Sequence, residues 1–178
     1  LLNSIVVLMT FLNGSLTSAS QRYIAYGIGE KDYKKANDFF SMSIVLFSIL
    51  ALIIFFLCQT LGLWIVKYKL VYPEELNKSI VVVFEIIVLT CLVNVLILPF
   101  NALIIASEKL NFFAVLGCVE GILKVVVVVL MSSTSFNKVI FYATGLFTIS
   151  LVQFLLYYIY VKQTMIEFSV KITRINIR

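Results

Sequence analysis

Five long apolar runs constrain this chain more than any other feature of its sequence. They cover residues 1–19, 39–66, 80–106, 112–131 and 139–161, and the intervals between them hold nearly all of the charge. A helix needs about 20 consecutive, mostly apolar residues to cross the hydrocarbon core of a bilayer. The sequence therefore predicts an all-α chain that folds as a polytopic bundle of five transmembrane helices.

The composition agrees with a membrane environment. Of the 178 residues, 62% are hydrophobic and 13% are charged, whereas soluble domains contain roughly 45–50% apolar residues. The chain opens directly in a hydrophobic run, without the basic segment and cleavage site of a signal peptide. We therefore expect it to be an internal piece of a longer membrane protein.

The basic residues are distributed unevenly between the two ends of the predicted helices. One end carries Arg22, Lys31, Lys34, Lys35, Lys109, Lys162, Lys171, Arg174 and Arg178, and the other carries Lys67, Lys69, Lys78 and Lys138. By the positive-inside rule, the more basic end is cytoplasmic. The first visible helix then enters from the outside, so we expect an odd number of spans before it, most simply one.

Residues 21–38 connect the first two runs, and their composition suggests a cytoplasmic amphipathic linker. Gly27 and Gly29 interrupt the apolar pattern, and Asp32 is suited to cap a short helix. Such a helix would turn its lysines toward water or anionic headgroups. The alternative is a solvated loop that only fixes the topology.

Polar residues recur on one face of the first predicted helix. Asn3, Thr10, Asn13, Thr17 and Ser20 follow one another at helical spacing, and Gln21 and Arg22 extend this stripe at the cytoplasmic end. Polar side chains in hydrocarbon mark surfaces that face protein or water. The stripe predicts either an aqueous groove or a set of hydrogen bonds between helices.

The fourth run carries a glutamate and a lysine between glycines. Gly117, Glu120, Gly121 and Lys124 share one helical face. Glycines four residues apart allow another backbone to approach closely, so we expect this face to meet protein. The charges form either a self-neutralising pair or the working charge of a transport path, in which Lys124 attracts phosphate or Glu120 carries a proton.

The third run contains Thr90, Asn94 and Asn101 within a narrow arc, with Glu85 almost opposite Asn94. Pro99 interrupts the same run, which predicts a kink and a candidate hinge.

Residues typical of metal and catalytic sites are scarce. The sequence has no histidine, and its three cysteines lie in different apolar runs without ligand spacing. No pattern of nucleophile and base occurs. We therefore expect no metal, no cofactor, no nucleic-acid partner and no enzymatic activity.

Two segments resemble a known family. ASQRYIAYGIGEKDYKKANDFFSMSI, residues 19–44, and PFNALIIASEKLNFFAVLGCVEGILK, residues 99–124, are similar to bacterial polysaccharide-biosynthesis flippases. These belong to the O-antigen (Wzx-like) branch of the multidrug/oligosaccharidyl-lipid/polysaccharide exporter superfamily. The similarity extends over roughly residues 1–162.

This resemblance implies a MATE-like transporter of two lobes in the bacterial inner membrane, of which residues 1–178 are part of the N-terminal lobe. Its substrate would be a polyprenyl-pyrophosphate-linked oligosaccharide for surface polysaccharide, with H⁺ or Na⁺ as the coupling ion. Arg22 and Lys124 would then contact the pyrophosphate. The alternatives are a drug or cation antiporter, with Glu120 or Glu85 as its carboxylate, and an integral-membrane glycan enzyme.

Overall fold

The computed structural model describes residues 2–64, 77–133 and 137–164, with only the backbone for residues 2–13, 61, 77, 78 and 133. Within these residues the chain forms five α-helices. They are α1 (Leu2–Gly29), α2 (Tyr33–Leu57), α3 (Asn77–Ala106), α4 (Leu110–Ser133) and α5 (Lys138–Thr164). A π-helical turn, Cys58–Gly62, continues α2.

Four of these helices, α2 to α5, are long and apolar enough to cross a membrane. The predicted all-α fold with membrane-length helices is therefore confirmed for the described residues. The helix α1 is not among the four, so a crossing by the first apolar run stays a prediction.

The chain between the first two runs is not a separate amphipathic linker. Instead, α1 continues to Gly29 and α2 begins at Tyr33, so residues 21–38 are two helix ends and a turn. Gly27, one of the two glycines, packs against the start of α2. A Cβ added at Gly27 would lie 2.8 Å from the backbone nitrogen of Ala36, so this glycine lets α1 and α2 approach closely.

The turn after α1 has the hydrogen bonds of a Schellman cap. The Lys31 N–H donates to the Ile28 carbonyl at 2.9 Å, and the Asp32 N–H donates to the Gly27 carbonyl at 3.0 Å. Lys31 adopts the left-handed conformation, with φ of 59°. The Asp32 carboxylate then accepts the Lys35 N–H at 3.0 Å, so the capping role predicted for Asp32 is observed, at the start of α2.

The turn between α3 and α4 repeats this geometry. The Glu108 N–H donates to the Ile105 carbonyl at 3.0 Å, and the Lys109 N–H donates to the Ile104 carbonyl at 3.1 Å. Glu108 takes the left-handed conformation, with φ of 58°. Two helical hairpins, α1–α2 and α3–α4, thus close with the same turn, and alternation of chain direction places both turns at the same end of the bundle.

The helix α3 is central, because it packs against α1, α2 and α5, whereas α4 packs mainly against α5. Aromatic rings join the central helices. Phe100 on α3 meets Phe40 on α2 and Phe154 on α5 edge to face, with centroids 5.7 and 5.8 Å apart. The neighbouring Pro99 is buried, and α3 continues through it. Its role as a hinge stays a prediction.

Candidate functional site

A charged pair lies in the middle of α4. The Lys124 ammonium donates to Glu120 Oε1 at 2.5 Å, which the four-residue spacing allows. The side chain of Glu120 is 29% exposed and that of Lys124 is 51% exposed. At 1.5 Å per residue, Glu120 lies about 15 Å from the start of α4 and Lys124 about 21 Å. If α4 crosses a membrane, as its length and composition allow, both would lie deep within a hydrocarbon core about 30 Å thick.

A residue of the next helix completes this arrangement. Gln153 on α5 donates its Nε2–H to Glu120 Oε2 at 2.9 Å. Both carboxylate oxygens of Glu120 are therefore hydrogen-bonded, one within α4 and one across to α5. Sequence reasoning did not place Gln153 in the candidate site. Its amide, alone in an apolar stretch of α5, was the available signal.

The glycines beside this pair do not meet a described helix. Gly117 and Gly121 are exposed, and a Cβ added at either would find no atom within 4 Å. The expectation that they bring another backbone close is therefore not met within the described part of the chain. Gly145 on α5 allows the close approach instead, since a Cβ added there would lie 2.6 Å from Val127 Cγ1. The face of Gly117, Gly121 and Lys124 is open.

The described half of α1 divides its polar residues between two sides. Thr17, Ser20 and Gln21 of the predicted stripe are half-buried, whereas Arg22 is exposed. At 100° per residue, Arg22 lies about 140° around the helix from Thr17, so it does not extend the predicted stripe. The remaining stripe residues, Asn3, Thr10 and Asn13, have side chains outside those described.

Arg22 lines an open groove along α1. The groove has a volume of about 450 Å³, and the described residues that line it are Gly14, Ser15, Ser18, Ala19 and Arg22. Arg22 forms no ion pair with any described carboxylate. Its guanidinium, with five N–H donors, is therefore free to bind an anion in this groove. Sequence reasoning selected Arg22 but did not select the serines beside it.

The polar arc of α3 borders a second groove, which lies between α3 and α5. Thr90, Cys91 and Asn94 line it together with apolar residues, and its volume is about 370 Å³. The Thr90 hydroxyl donates to the Ile86 carbonyl at 2.8 Å. Asn101, the third residue of the arc, does not line this groove, and its buried Oδ1 has no hydrogen-bond partner among the described groups.

Glu85 bonds to a residue of the π-helical turn after α2 that sequence reasoning missed. Gln59, in the π-helical turn, donates its Nε2–H to Glu85 Oε2 at 2.7 Å. The two segments are tightly packed, because a Cβ added at Gly62 would lie 2.6 Å from Cζ of Phe84. The wide turn that places Gln59 has no periodic signature, so spacing alone could not pair it with Glu85.

The turn after α1 carries a second ion pair. Lys35 Nζ donates to Glu30 Oε2 at 2.7 Å and lies 4.7 Å from the ring centroid of Tyr26. The hydrogen bond from Lys35 holds the pKa of the Glu30 carboxyl below its ordinary value, and a hydrogen bond from Tyr26 acts in the same direction. This end of the bundle thus carries an exposed and partly neutralised set of charges.

Comparison with models of known protein families, with curated proteins and with solved structures finds no match to this chain. In the part of the chain that the structure describes, no three His, Cys, Asp or Glu side chains lie close enough to hold a metal ion. The candidate site has two parts: the network of Glu120, Lys124 and Gln153, and the groove lined by Arg22.

Proposed function

We propose that this chain is part of a transporter that moves a polyprenyl-pyrophosphate-linked oligosaccharide across the bacterial inner membrane for surface polysaccharide synthesis. The resemblance of residues 19–44 and 99–124 supports the substrate class. The all-helical fold, with four helices long enough to cross a membrane, is compatible with this class of transporter.

The observation that carries the proposal is the half-exposed ammonium of Lys124 deep in an apolar helix. A charge at this depth is costly unless it is paired or lines a water-filled path. An ammonium has three N–H donors, and Glu120 accepts one of them. Because Gly117 and Gly121 leave the adjacent face open, the remaining donors of Lys124 are available to a phosphate on that side.

Arg22 would act nearer the cytoplasmic end. At 1.5 Å per residue it lies about 10 Å from the end of α1 at Gly29, whereas Lys124 lies about 21 Å from the start of α4 at Leu110. Both helices end at the turns on the same side of the bundle. A pyrophosphate that enters from this side would therefore contact the guanidinium first and the ammonium later, and each cation would offset the cost of desolvating the anion.

Glu120 and Gln153 would position Lys124 in this scheme. The carboxylate holds the ammonium at one side, and the hydrogen bond from Gln153 fixes the carboxylate to α5. The network is then neutral when empty, which lowers the cost of burying it in the membrane.

Complementation of a deletion strain with the full-length gene tests this proposal. Deletion should abolish display of the surface polysaccharide, and the wild-type gene should restore it. Arg22→Gln and Lys124→Gln should fail to restore display although immunoblots show normal protein in the membrane, whereas Arg22→Lys and Lys124→Arg should restore it in part. Unchanged glycan display after deletion would contradict the proposal.

A drug or cation antiporter is the second candidate, and Glu120 favours it as a half-buried carboxylate deep in α4. Such a transporter would need this carboxylate to exchange a proton or a cation. Glu120→Gln would then abolish resistance to cationic drugs and leave the surface polysaccharide intact. The flippase predicts the reverse, with loss of polysaccharide and unchanged drug susceptibility.

A further inference from the structure

The turn between α1 and α2 presents two lysines that have no carboxylate partner among the described residues. Lys31 and Lys34 are exposed, and neither ammonium forms an ion pair in the described ranges. The acidic side chains of the turn are bonded elsewhere. Glu30 accepts from Lys35 Nζ at 2.7 Å, and Asp32 accepts from the Lys35 backbone N–H at 3.0 Å. The two remaining ammonium groups are therefore available to an anion outside the chain.

Three exposed tyrosines lie next to this turn. Tyr23 and Tyr26, near the end of α1, are 59% and 56% exposed, and Tyr33, at the start of α2, is 43% exposed. Tyrosine is enriched where a bilayer meets water, because its ring is apolar and its hydroxyl is polar. If α2 crosses a membrane, as its length and composition allow, these rings place the turn at the level of the lipid headgroups.

The backbone of the turn is ordered before any ligand arrives. The Lys31 N–H donates to the Ile28 carbonyl at 2.9 Å, and the left-handed conformation of Lys31 directs the chain into α2. Lys34 follows in the first turn of α2, where the Asp32 side chain caps the helix. A site that is already ordered loses less conformational entropy on binding, so only the two lysine side chains need to be fixed.

We propose that the α1–α2 turn binds an anionic phospholipid, with Lys31 and Lys34 on its headgroup phosphate and the exposed tyrosine rings against the upper part of its acyl chains. Basic residues at the membrane surface attract anionic lipids, and an ammonium binds phosphate as a point charge without a fixed geometry. This inference goes beyond the proposed function, because the lipid would be bound whichever substrate the transporter moves.

Photolabelling of the purified full-length protein in phosphatidylcholine nanodiscs tests the inference. The probe is phosphatidylglycerol with a diazirine near its headgroup, and mass spectrometry of the digested protein measures how much label residues 23–34 receive. Titration of the probe gives its affinity for this segment. Unlabelled phosphatidylglycerol should compete with the probe, whereas extra phosphatidylcholine or inorganic phosphate at the same concentration should not. Raising the ionic strength should weaken the labelling.

Lys31→Gln and Lys34→Gln should each lower the affinity about fivefold, and the double variant about 25-fold, because one lysine near the surface contributes about a factor of five. Asp38→Asn should raise the affinity. Asp38 follows Lys34 by one helical turn and forms no ion pair with a described residue, so its carboxylate repels the phosphate. Lys109→Gln is the matched control. This lysine lies in the α3–α4 turn at the same end of the bundle, so its removal should leave labelling of residues 23–34 within twofold.

Wild-type affinity in the Lys31→Gln/Lys34→Gln double variant would overturn the inference. An equal loss in Lys109→Gln would also overturn it, because the attraction would then come from the overall charge of this end and not from the turn. Competition by inorganic phosphate as strong as that by phosphatidylglycerol would contradict a lipid occupant. Thermal unfolding without the probe identifies any variant that does not fold. If Lys31→Gln is such a variant, the loss in Lys34→Gln and the gain in Asp38→Asn decide the question.

Discussion

Replacing Gln153 by leucine should loosen the contact between α4 and α5. The substitution removes the hydrogen bond of 2.9 Å to Glu120 Oε2 and keeps the size of the side chain. Interhelical hydrogen bonds in membranes average about 0.6 kcal/mol, with a maximum of about 1.7. Glu120 is charged, which strengthens the bond. Its side chain is also 29% exposed, so water can replace part of the hydrogen bond that the substitution removes. We expect a loss of about 1 kcal/mol in the free energy of unfolding.

A double-mutant cycle isolates this interaction. Gln153→Leu and Glu120→Ala are made singly and together, and the free energy of unfolding is measured by SDS titration in mixed micelles. The coupling energy should be about 1 kcal/mol. A second cycle combines Glu120→Ala with Gln59→Leu, whose amide bonds Glu85 instead. This control pair should be additive within about 0.3–0.5 kcal/mol. Additivity in the first cycle would refute the reasoning.

Local periodicity predicted the pairing within α4 correctly, because residues four apart on a helix are neighbours whatever surrounds them. The contact of Glu120 with Gln153 could not be predicted in the same way. It depends on which face of α4 meets α5, and a hydrophobic pattern that is apolar nearly all round the helix does not specify that face. For the same reason, the pattern could not show that no described helix meets the face of Gly117 and Gly121, and contact of this face with another backbone stays a prediction.

The ends of the helices show a second limit of prediction from sequence alone. Sequence reasoning placed the linker where glycines and charges cluster, yet α1 runs through Gly27 because this glycine packs against Ala36. The reversal comes later, at Lys31, a residue without the glycine signature of a left-handed cap. Tertiary packing thus overrode local propensity at Gly27, whereas the conformation of Lys31 accompanies the hydrogen bonds of the turn.

Three further predictions concern the helix contacts and the turn. Gly145→Leu should destabilise the protein by about 1–3 kcal/mol, because the new side chain would overlap Val127 on α4. Gly121→Leu is the control: its side chain would point into open space, so the midpoint of SDS-induced unfolding should change little. Lys31→Gly should raise the free energy of unfolding by about 1 kcal/mol, since glycine adopts a φ of 59° without the strain of a side chain; a lower midpoint would contradict this. The pKa of Glu30 is lowered in the folded state, so its contribution to stability is present above its ordinary pKa of about 4.3 and is lost as the pH falls through the lower folded value. Wild type should therefore lose stability on acidification more than Glu30→Gln, and parallel pH profiles of the two would refute the role of the pair with Lys35.

Thiol labelling at the open face of α4 tests most directly the claim that this face lines a watery path. Cysteine is introduced by Gly121→Cys, or by Ile122→Cys on the neighbouring exposed side, after Cys58, Cys91 and Cys118 are replaced by alanine. The full-length protein in membranes is then treated with a charged, membrane-impermeant thiol reagent. The account places position 121 on the watery side and position 122 on the lipid side, so it predicts that the thiol at position 121 reacts and that the thiol at position 122 does not. Equal reaction at both positions, or no reaction at position 121, would contradict it.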